Sequence, residues 1–553
     1  MTPQAGQARM TGGEALVKQL YLEGVRVVFG LPGVQLYGVM AALRDEPGIR
    51  FISTRHEQAT SFMADGYARA GGGFGTALVV PGPGLLNAMS GLSTAYSASS
   101  PVLMIAGQVP SARIGKNIGV LHEVNDQLDA VAPITKWRRR VLAIRDIPAA
   151  VHEAVRQLKT GRPRPVVIDM PPDVMEEEDD VTLVDALHSA RPAAADSEIA
   201  RAAEILAAST RAVIYVGGGV HASGAYDALQ AVAEHLQAGI LQSGEGKGAI
   251  DDRSPLSLGA ALWPGNVLHR FADTADVMLV VGSRLALYDT PASQQVIHLD
   301  IDPEEVGRQH SKTVGLVGDA LATLEALLDR LRALGPPRSS REAEFDVLRV
   351  QIAATQNQEP QASIVRSLRA AVPDNTIFVS GMTQIGYYSR PFWPVYEPRT
   401  FITSSYSGNL GYAFPTALGA KVACPERPVV VVCGDGGFLY NSQELATAVR
   451  YGINVVIVLF NDHSYGNVAR DMDELWGGAI GADLHNPDFM KLAEAYGVAG
   501  LRAKDHSETG ALVREAVALN RPALVEVPVG RMSSPPSFPV RRTPTVYQKR
   551  RER

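Results

Sequence analysis

The sequence predicts an α/β protein built from three doubly wound parallel-sheet domains. The chain has 553 residues, which is long enough for roughly three or four domains. Short apolar runs alternate with helical stretches along nearly its whole length, as expected of βα units on parallel sheets. Two segments, at residues 191–196 and 335–337, interrupt this alternation. We therefore predict successive domains at residues 8–175, 192–335 and 355–530.

The first domain is predicted from apolar runs that fit buried parallel strands. These runs lie at residues 25–29, 49–53, 76–80, 102–106 and 166–169. A helix is expected from Glu57 to about residue 70. The acidic run at residues 176–180 breaks the pattern, so we predict that it forms a solvated linker together with residues 191–196.

The second and third domains are predicted in the same way. Their strands are expected at residues 212–216, 239–242, 277–281, 296–300 and 315–317, and at residues 376–380, 401–403, 429–433, 454–460 and 524–527. Residues 162–171 and 521–528 are similar in sequence, which suggests that the outer two domains share one fold. The basic, proline-containing tail at residues 531–553 is predicted to be an exposed arm.

Composition restricts the class of protein. A net charge of −6 gives no reason to expect a nucleic-acid partner. The longest apolar runs are far shorter than the roughly 18–20 residues that span a bilayer, so no membrane association is expected. The chain has two cysteines, Cys424 and Cys433, and residues 1–9 lack the layout of a secretory signal. These features favour a cytoplasmic protein.

The most informative motif is Gly434-Asp435-Gly436-Gly437, which follows one apolar run and is matched by Asn461-Asp462 after the next. Two neighbouring parallel strands that each end in an oxygen ligand could hold one divalent cation, and the glycines would let a diphosphate approach the backbone. A Gly-Asp-Gly sequence alone is a common turn. The spacing and both flanking strands favour a metal–diphosphate site.

This arrangement resembles the signature of thiamine diphosphate enzymes. The resemblance implies that Asp435 and Asp462 bind Mg²⁺ through carboxylate oxygens and that Ser464 adds its backbone carbonyl. Asp462 stands where the family more often has Asn, which keeps an oxygen ligand. Tyr465 and Gly466, which follow directly, belong to the same predicted cofactor site.

A second signature, Arg55-His56-Glu57, closes a predicted strand and opens a helix. In thiamine diphosphate enzymes a Glu in this context hydrogen-bonds the aminopyrimidine and activates the cofactor, so the resemblance makes Glu57 catalytic. The alternative is that Glu57 only stabilises a helix N-terminus, where negative charge is favourable. Like the family, this chain has the Glu motif in its first domain and the metal motif in its third.

Further segments are similar to the acetolactate synthase (acetohydroxyacid synthase) branch from about residue 10 to residue 530. The resemblance makes residues 8–175 a pyrimidine domain and residues 355–530 a diphosphate domain. Leu410 falls where the family keeps a large apolar side chain that bends the cofactor, although it could equally be ordinary core. The other residues that the resemblance implies as cofactor contacts are Gly33, Pro81, Asn87, Thr383, Gln384 and Gly408.

The resemblance also implies an activity. It predicts decarboxylation of a 2-keto acid through an enamine intermediate, followed by acetolactate-synthase-like carboligation. Family members place Glu57 of one subunit at the diphosphate site of the other, which implies a dimer or tetramer with active sites between subunits.

The predicted substrate pocket departs from the synthases. His122 in Leu121-His122-Glu123-Val124 replaces a Gln and could transfer protons near neutral pH, although a lone His is often only structural. Asn467 and Asp471 replace a Met and a Trp, which predicts a more polar pocket. Val34, Gln35, Leu121 and Val468 complete this pocket. The alternative activity is therefore a decarboxylase or carbon–carbon lyase, of the 2-hydroxyacyl, benzoylformate or oxalyl type, on a more polar substrate.

Two questions stay open. Arg284 is retained from the FAD-binding segment of synthases and could bind a nucleotide or a substrate carboxylate, but the rest of that motif is lost, which favours the absence of FAD. The glycines at residues 217–219 could approach a phosphate or simply allow close packing. A regulatory homologue without turnover is a further alternative, which Glu57, Asp435 and Asp462 together make less attractive.

Overall fold

A computed structural model of the chain describes residues 7–187, 189–286, 288–310 and 312–534. These residues form three six-stranded sheets and one two-stranded pair. Most residues of the strands in the three large sheets are buried, which explains their continuous apolar runs. The predicted fold class, three doubly wound parallel-sheet domains, is confirmed.

The N-terminal sheet has the strand order β3-β2-β4-β5-β7-β6, and all of its neighbours are parallel. Its strands are β2 (Val27–Gly30), β3 (Arg50–Ser53), β4 (Gly75–Val79), β5 (Val102–Gly107), β6 (Trp137–Arg140) and β7 (Val166–Met170). The two-stranded antiparallel pair is β1 (Gln7–Thr11) with β8 (Glu178–Thr182). The helices of this region are α1 (Gly12–Leu22), α2 (Tyr37–Asp45), α3 (Glu57–Arg69), α4 (Pro83–Ala98), α5 (Gln127–Val131), α6 (Ile147–Lys159) and α7 (Pro172–Glu176).

The middle sheet has the order β11-β10-β9-β12-β13-β14 and is also parallel throughout. Its strands are β9 (Ala212–Val216), β10 (Gly239–Gln242), β11 (Ser257–Gly259), β12 (Val277–Val281), β13 (Gln295–Asp300) and β14 (Thr313–Val317). Its helices are α8 (Asp196–Ala208), α9 (Gly219–Ser223), α10 (Tyr226–Leu236), α11 (Val267–Asp273) and α12 (Ala320–Leu334).

The C-terminal sheet has the order β16-β15-β17-β18-β20-β19. Its strands are β15 (Ile377–Ser380), β16 (Phe401–Ile402), β17 (Val429–Gly434), β18 (Val456–Asn461), β19 (Ala499–Arg502) and β20 (Ala523–Pro528). The helices of this part of the chain are α13 (Glu342–Ala353), α14 (Gln361–Ala371), α15 (Gln384–Phe392), α16 (Ala413–Ala423), α17 (Asp435–Phe438), α18 (Leu445–Tyr451), α19 (Gly466–Trp476), α20 (Phe489–Tyr496) and α21 (Thr509–Ala518).

The acidic run predicted to be a linker is partly a strand. Residues 178–182 pair with residues 7–11, in a register that sets Arg9 opposite Asp180. Arg9 also donates a hydrogen bond to Glu178 at 3.1 Å. The prediction was wrong here because charged residues disfavour strands in isolation, whereas a basic residue on the neighbouring strand offsets that charge.

The chain forms two compact units. The first comprises Met1–Ala190, Ser404–Val429 and Leu439–Val455, and the second comprises Arg191–Thr403, Val430–Phe438 and Val456–Arg553. In the first unit, α16 packs closely against α3. A Cβ atom at Gly66 would lie 2.0 Å from the Thr416 carbonyl oxygen, and one at Gly419 would lie 1.9 Å from that of Met63. Glycine is therefore required on both helices where they cross.

No helix among the described residues is long and apolar enough to cross a membrane. Most of the predicted basic tail, residues 535–553, lies outside the described residues. The first residues of the tail, 531–534, are described and contact the rest of the chain. Gln358 and Gln361 donate to the Ser533 carbonyl oxygen, and Arg531 pairs with Asp473 at 2.6 Å.

Candidate active site

Predicted site residues lie at the switch points of the two outer sheets, where the strand order reverses. In the N-terminal sheet, Gly33 follows β2 and lies against Val80 after β4, where a Cβ atom on the glycine would be 2.3 Å from the valine Cγ1. In the C-terminal sheet, Gly434 ends β17 and faces Thr383 after β15, where a Cβ atom on the glycine would be 3.6 Å from the threonine Cβ. Ligands of open α/β sheets bind in the crevice at such points.

Glu57 is the first residue of α3 and is half-buried. Asn87 of α4 donates a hydrogen bond to its Oε2 atom at 3.0 Å. The structure therefore brings together two residues that the resemblance assigns to the pyrimidine ring. This bond fixes the orientation of the Glu57 carboxyl group at the start of α3.

A buried carboxyl group holds the loop in front of Glu57. Glu444 accepts hydrogen bonds from the backbone N–H groups of Arg55 and His56, each at 3.0 Å to Oε1, and from the Thr447 hydroxyl at 2.6 Å. Burial raises the pKa of Glu444 to about 7, against the effect of these donors. Glu444 was not predicted as a site residue, since a lone Glu before a helix carries no recognisable sequence signal.

His122 is joined to a second predicted pocket residue. Its Nδ1 atom lies 3.1 Å from the Gln35 Oε1 atom, while the Gln35 amide nitrogen donates to the Leu121 carbonyl oxygen at 3.2 Å. Because the second bond fixes the amide orientation, the histidine must donate from Nδ1. Neutral His122 therefore carries its lone pair on Nε2.

Glu123 fixes the loop that carries His122. One of its oxygens accepts from the backbone N–H groups of Ile118, Gly119 and Val120 at 2.8–3.0 Å. These donors, led by that of Val120, lower the pKa of Glu123. His122 itself has a φ of +69°, a left-handed conformation that side chains rarely adopt without such support.

Three other predicted residues of this unit are located as follows. Pro81 is buried after β4, and Gly408 has a φ of +66° in the loop after β16. Leu410 is half-buried in the same loop. Asn409 ties this loop to α4 by donating to the Ser90 hydroxyl at 3.0 Å.

In the second unit, Asp435 and Asp462 lie together as predicted. Burial and the neighbouring Asp435 carboxylate raise the pKa of Asp462 to about 6. A Cβ atom at Gly466 would lie 2.2 Å from the Asp462 Oδ2 atom, so the next helix can start close to this pair only with glycine. Two carboxylates forced together are stabilised by a cation between them, and such oxygens suit Mg²⁺.

The predicted metal set needs only these two carboxylates and the Ser464 carbonyl. No cluster of three His, Cys, Asp or Glu side chains suited to a metal occurs in the part of the chain that the structure describes. The Ser464 hydroxyl donates to the Ala482 carbonyl oxygen at 3.1 Å, and its N–H donates to Asp462 at 3.2 Å. These bonds fix the loop from which its carbonyl would bind the ion.

Asn486 is a residue that the sequence analysis missed. It donates to Asp435 at 2.7 Å and to Asn461 at 2.9 Å, and Asn461 in turn donates to Glu526 at 2.9 Å. This series of hydrogen bonds orients Asp435. Asn486 lies in a polar loop far from both motifs, so no sequence signal pointed to it.

A cluster that we call the polar wall follows the metal pair. It consists of Gln384, Asn467, Arg470 and Asp471, and its arginine side chain is 4% exposed. Arg470 donates to Asn467 at 2.5 Å and to Asp471 at 2.7 Å. Its charge balances that of Asp471. Two predicted pocket residues are thus fixed by an arginine that the sequence analysis did not select.

The remaining predicted residues surround these groups. Gly436 lies under the Tyr465 ring, since a Cβ atom there would be 2.5 Å from the ring Cε1 atom. Gly437 follows it on α17. Val468 is exposed on α19, and Val34 is exposed beside Gln35.

The middle sheet carries Arg284, on the loop after β12. The glycines at its switch point pack against each other: a Cβ atom at Gly219 would lie 2.5 Å from the Gly282 Cα atom, and Gly219 donates to the Gly282 carbonyl oxygen at 3.0 Å. This contact favours the packing role that the sequence analysis left open for residues 217–219.

The fold and these two sites define the class of protein, and comparison with known families agrees. Residues 10–132, 199–327 and 381–527 match the N-terminal, central and C-terminal domains of thiamine pyrophosphate enzymes, respectively. The chain belongs to the thiamine pyrophosphate enzyme family. The predicted membership of this family is thereby confirmed, and the protein is an enzyme that uses this cofactor.

Individual relatives cover nearly the whole chain. It is 36% identical over 535 residues to a probable 2-ketoarginine decarboxylase of Pseudomonas aeruginosa, covering 95% of both chains. It is 35% identical to a probable acetolactate synthase large subunit of Methanocaldococcus jannaschii, covering 96% of this chain and 94% of that one. It is 32% identical to the acetolactate synthase isozyme 3 large subunit of Escherichia coli, covering 94% and 95%.

Proposed function

We propose that this protein is a Mg²⁺- and thiamine diphosphate-dependent decarboxylase of 2-keto acids with polar side chains. The polar wall carries the proposal. Where the synthases have Met and Trp, this chain has Asn467 and Asp471, both hydrogen-bonded to the buried Arg470. Such groups are unfavourable beside an alkyl side chain and favourable beside a polar one.

Residues of each outer domain have a distinct part in this proposal. Asp435, Asp462 and the Ser464 carbonyl hold Mg²⁺, and the glycines after β17 admit a diphosphate. Glu57, oriented by Asn87, exchanges a proton with the pyrimidine ring. When bound, thiamine diphosphate supplies the nucleophilic carbon and the electron sink that decarboxylation of a 2-keto acid requires.

His122 is the proposed acid–base group on the substrate. Decarboxylation leaves a carbon that must take up a proton, and an imidazole side chain can supply one. The Gln35 bond to Nδ1 leaves Nε2 as the atom that gains and loses this proton. The synthase Gln at this position has no titratable proton.

Acetolactate-type carboligation is the second candidate. It is supported by the similarity to acetolactate synthase large subunits at 35% and 32% identity over nearly the whole chain. The two activities share the decarboxylation step and differ in whether a proton or a second carbonyl compound captures the product.

The test is turnover by purified protein with Mg²⁺ and thiamine diphosphate. Release of CO₂ and formation of carboligation products are measured together, with pyruvate and with 2-keto acids that carry polar side chains. Faster CO₂ release from the polar acids without carboligation supports the decarboxylase. Acetolactate formation from pyruvate as the main reaction supports the synthase instead, and absence of CO₂ from every acid contradicts both.

The proposal extends to assembly and location. Val34, Tyr37 and Leu121 are 52%, 60% and 58% exposed in the single chain, and the Gln35 bond to Leu121 keeps their segments together. Apolar side chains so exposed beside a site are typical of an interface. We propose a homodimer or homotetramer with active sites between subunits, measurable by light scattering. Neither Cys424 nor Cys433 forms a disulfide, which supports a proposed location in the cytoplasm.

A further inference from the structure

The polar wall also restricts the chemistry of the substrate's side-chain end. It lies next to the candidate cofactor site on two sides. Gln384 follows Thr383, the residue that faces Gly434, and Asn467 follows Gly466, the residue that contacts Asp462. A substrate whose keto group reaches the cofactor would therefore pass its side chain along this wall.

Arg470 determines how the Asn467 amide is oriented. A guanidinium group has donors only, so the Asn467 atom 2.5 Å from it must be the oxygen. With its nitrogen towards Asn467, Gln384 donates to the same oxygen at 2.9 Å. With its amide turned, Gln384 accepts from Arg470 at 2.6 Å and donates to the Ser533 carbonyl oxygen at 3.2 Å, and its oxygen then lies 2.9 Å from the Asn467 oxygen, which Arg470 still holds. In both cases the Asn467 oxygen is engaged.

The Arg470 Nε atom is buried without a hydrogen-bond partner among the described residues, so the two partly exposed positions left for a ligand are one donor and one acceptor. The Asn467 nitrogen has no hydrogen-bond partner within the described ranges, and the side chain is only partly buried. One oxygen of Asp471 accepts from Arg470, which leaves the other oxygen of this 33% exposed side chain. Asn467 and Asp471 are four residues apart on α19, so both groups lie on one face of the helix.

The charges of Arg470 and Asp471 cancel within the wall. A carboxylate on the substrate would match the donor of Asn467 but would be repelled by Asp471. A guanidinium or ammonium group would match Asp471 but would set its own donors against the Asn467 nitrogen. A neutral group with a donor and an acceptor side by side satisfies both positions.

We propose that the polar wall binds the substrate's side-chain end and selects a neutral donor–acceptor group, such as a primary carboxamide or a urea. This inference rests on the proposed function. In it Asn467 and Asp471 contact the substrate, and Arg470 is a positioning residue that acts through them.

The test compares 2-keto acids of equal chain length that end in carboxamide, carboxylate, guanidinium or methyl groups. CO₂ release by the enzyme loaded with Mg²⁺ and thiamine diphosphate gives kcat/KM for each. The carboxamide is expected to exceed each of the others by roughly tenfold or more, because unpaired polar groups in a binding site penalise analogues that lack the partner. CO₂ release without this preference overturns the inference alone, whereas no CO₂ from any acid overturns the proposed function and the inference with it.

Variants separate positioning from general damage. Arg470→Met should raise KM for the carboxamide acid by roughly tenfold with a smaller change in kcat, and should shift preference towards the guanidinium acid, since Asp471 is then unbalanced. Asp471→Asn should disfavour the guanidinium acid further. Asp473→Asn, on the same helix but paired with Arg531 outside the wall, is the matched control and should leave the order of substrates unchanged.

A binding measurement completes the test. Calorimetry with the 2-hydroxy acid that carries the same carboxamide, which cannot lose CO₂, reports affinity without turnover. Weaker binding to Arg470→Met by a similar factor supports the positioning role. Equal loss of affinity for the carboxamide and methyl analogues would overturn it, since that pattern indicates a damaged pocket.

Discussion

The N-terminal and C-terminal sheets arrange their strands in the same order, yet their switch points carry different groups. Numbered within each sheet, both orders read 2-1-3-4-6-5, whereas the middle sheet reads 3-2-1-4-5-6. The N-terminal crevice has Glu57 with Asn87 and, nearby, His122 with Gln35. The C-terminal crevice has the carboxylate pair of Asp435 and Asp462. The shared topology sets where a ligand can lie, and the loop residues decide what happens to it.

The largest expected effect is on cofactor affinity at the C-terminal crevice. Asp435→Ala removes a proposed metal ligand and the group that Asn486 orients. Loss of a supporting residue near a metal costs about 10–100-fold in affinity, so loss of the ligand itself should cost roughly 10³-fold or more. Titration of the purified variant with Mg²⁺ and thiamine diphosphate measures this. Unchanged cofactor affinity would remove Asp435 from the metal site.

Glu57→Gln should separate turnover from binding. Removal of an acid–base group costs about 10²–10⁴-fold in rate, while the similar shape of Gln preserves the Asn87 contact and the fold. Turnover is compared with cofactor affinity in the same preparation. If cofactor affinity falls as far as turnover, the proposal that Glu57 serves catalysis and the C-terminal crevice serves cofactor binding is wrong.

Glu444 variants test whether the loop in front of Glu57 must be held in place for catalysis. Glu444→Ala leaves the N–H groups of Arg55 and His56 without their acceptor, and the resulting shift of Glu57 should cost roughly 10²-fold in kcat. Glu444→Gln can accept both bonds through its amide oxygen, so a loss of only about threefold is expected. Thr447→Val, which removes the hydroxyl donor alone, is the control.

The comparison of Gln with Ala at position 444 discriminates between two roles. A positioning role predicts that Gln restores most of the rate. If Gln is as damaging as Ala while both variants stay folded at the assay temperature, the negative charge of Glu444 matters and its geometry does not.

The smallest expected effect is on stability as a function of pH. The pKa of Glu444 rises from an ordinary 4.5 to about 7 on folding. Between these values the folded chain binds more protons than the unfolded chain, so Glu444 makes folding less favourable as the pH rises, by up to about 3 kcal/mol at pH 7 and above. Glu444→Gln should therefore gain thermal stability relative to the parent from pH 5 to pH 8. A constant difference over that range would contradict the raised pKa.

The sequence was sufficient for the sheets and for the short motifs at their ends. Buried parallel strands such as β12 and β17 are continuous apolar runs, and Gly-Asp-Gly and Arg-His-Glu stand directly after strands. The edge strands β3, β14 and β16 were predicted, but β6 and β8 were missed. β6 is rich in arginine and β8 in acidic residues, and pairing with a neighbour outweighs their weak strand propensity.

The supporting side chains could not be predicted from sequence. Glu444 binds the backbone of Arg55 and His56, which are separated from it by 389 and 388 positions in the chain. Asn486 binds Asp435 across 51 positions. Arg470 differs from them, since it lies next to Asp471 and could have been selected from its place beside an altered motif. Long-range hydrogen bonds leave no periodic pattern, so only the folded structure identifies them.

The unit that carries Glu57 is not continuous along the chain. It needs residues 404–429 and 439–455 in addition to its first 190 residues, and α16 covers the glycine-containing face of α3. During synthesis at about 5–20 residues per second, the nascent first part would wait roughly ten to fifty seconds for its missing helices. During that interval the apolar face of α3 stays uncovered on the ribosome. We therefore expect chaperones to bind the nascent chain at α3, and we expect chains that terminate before α16 to aggregate.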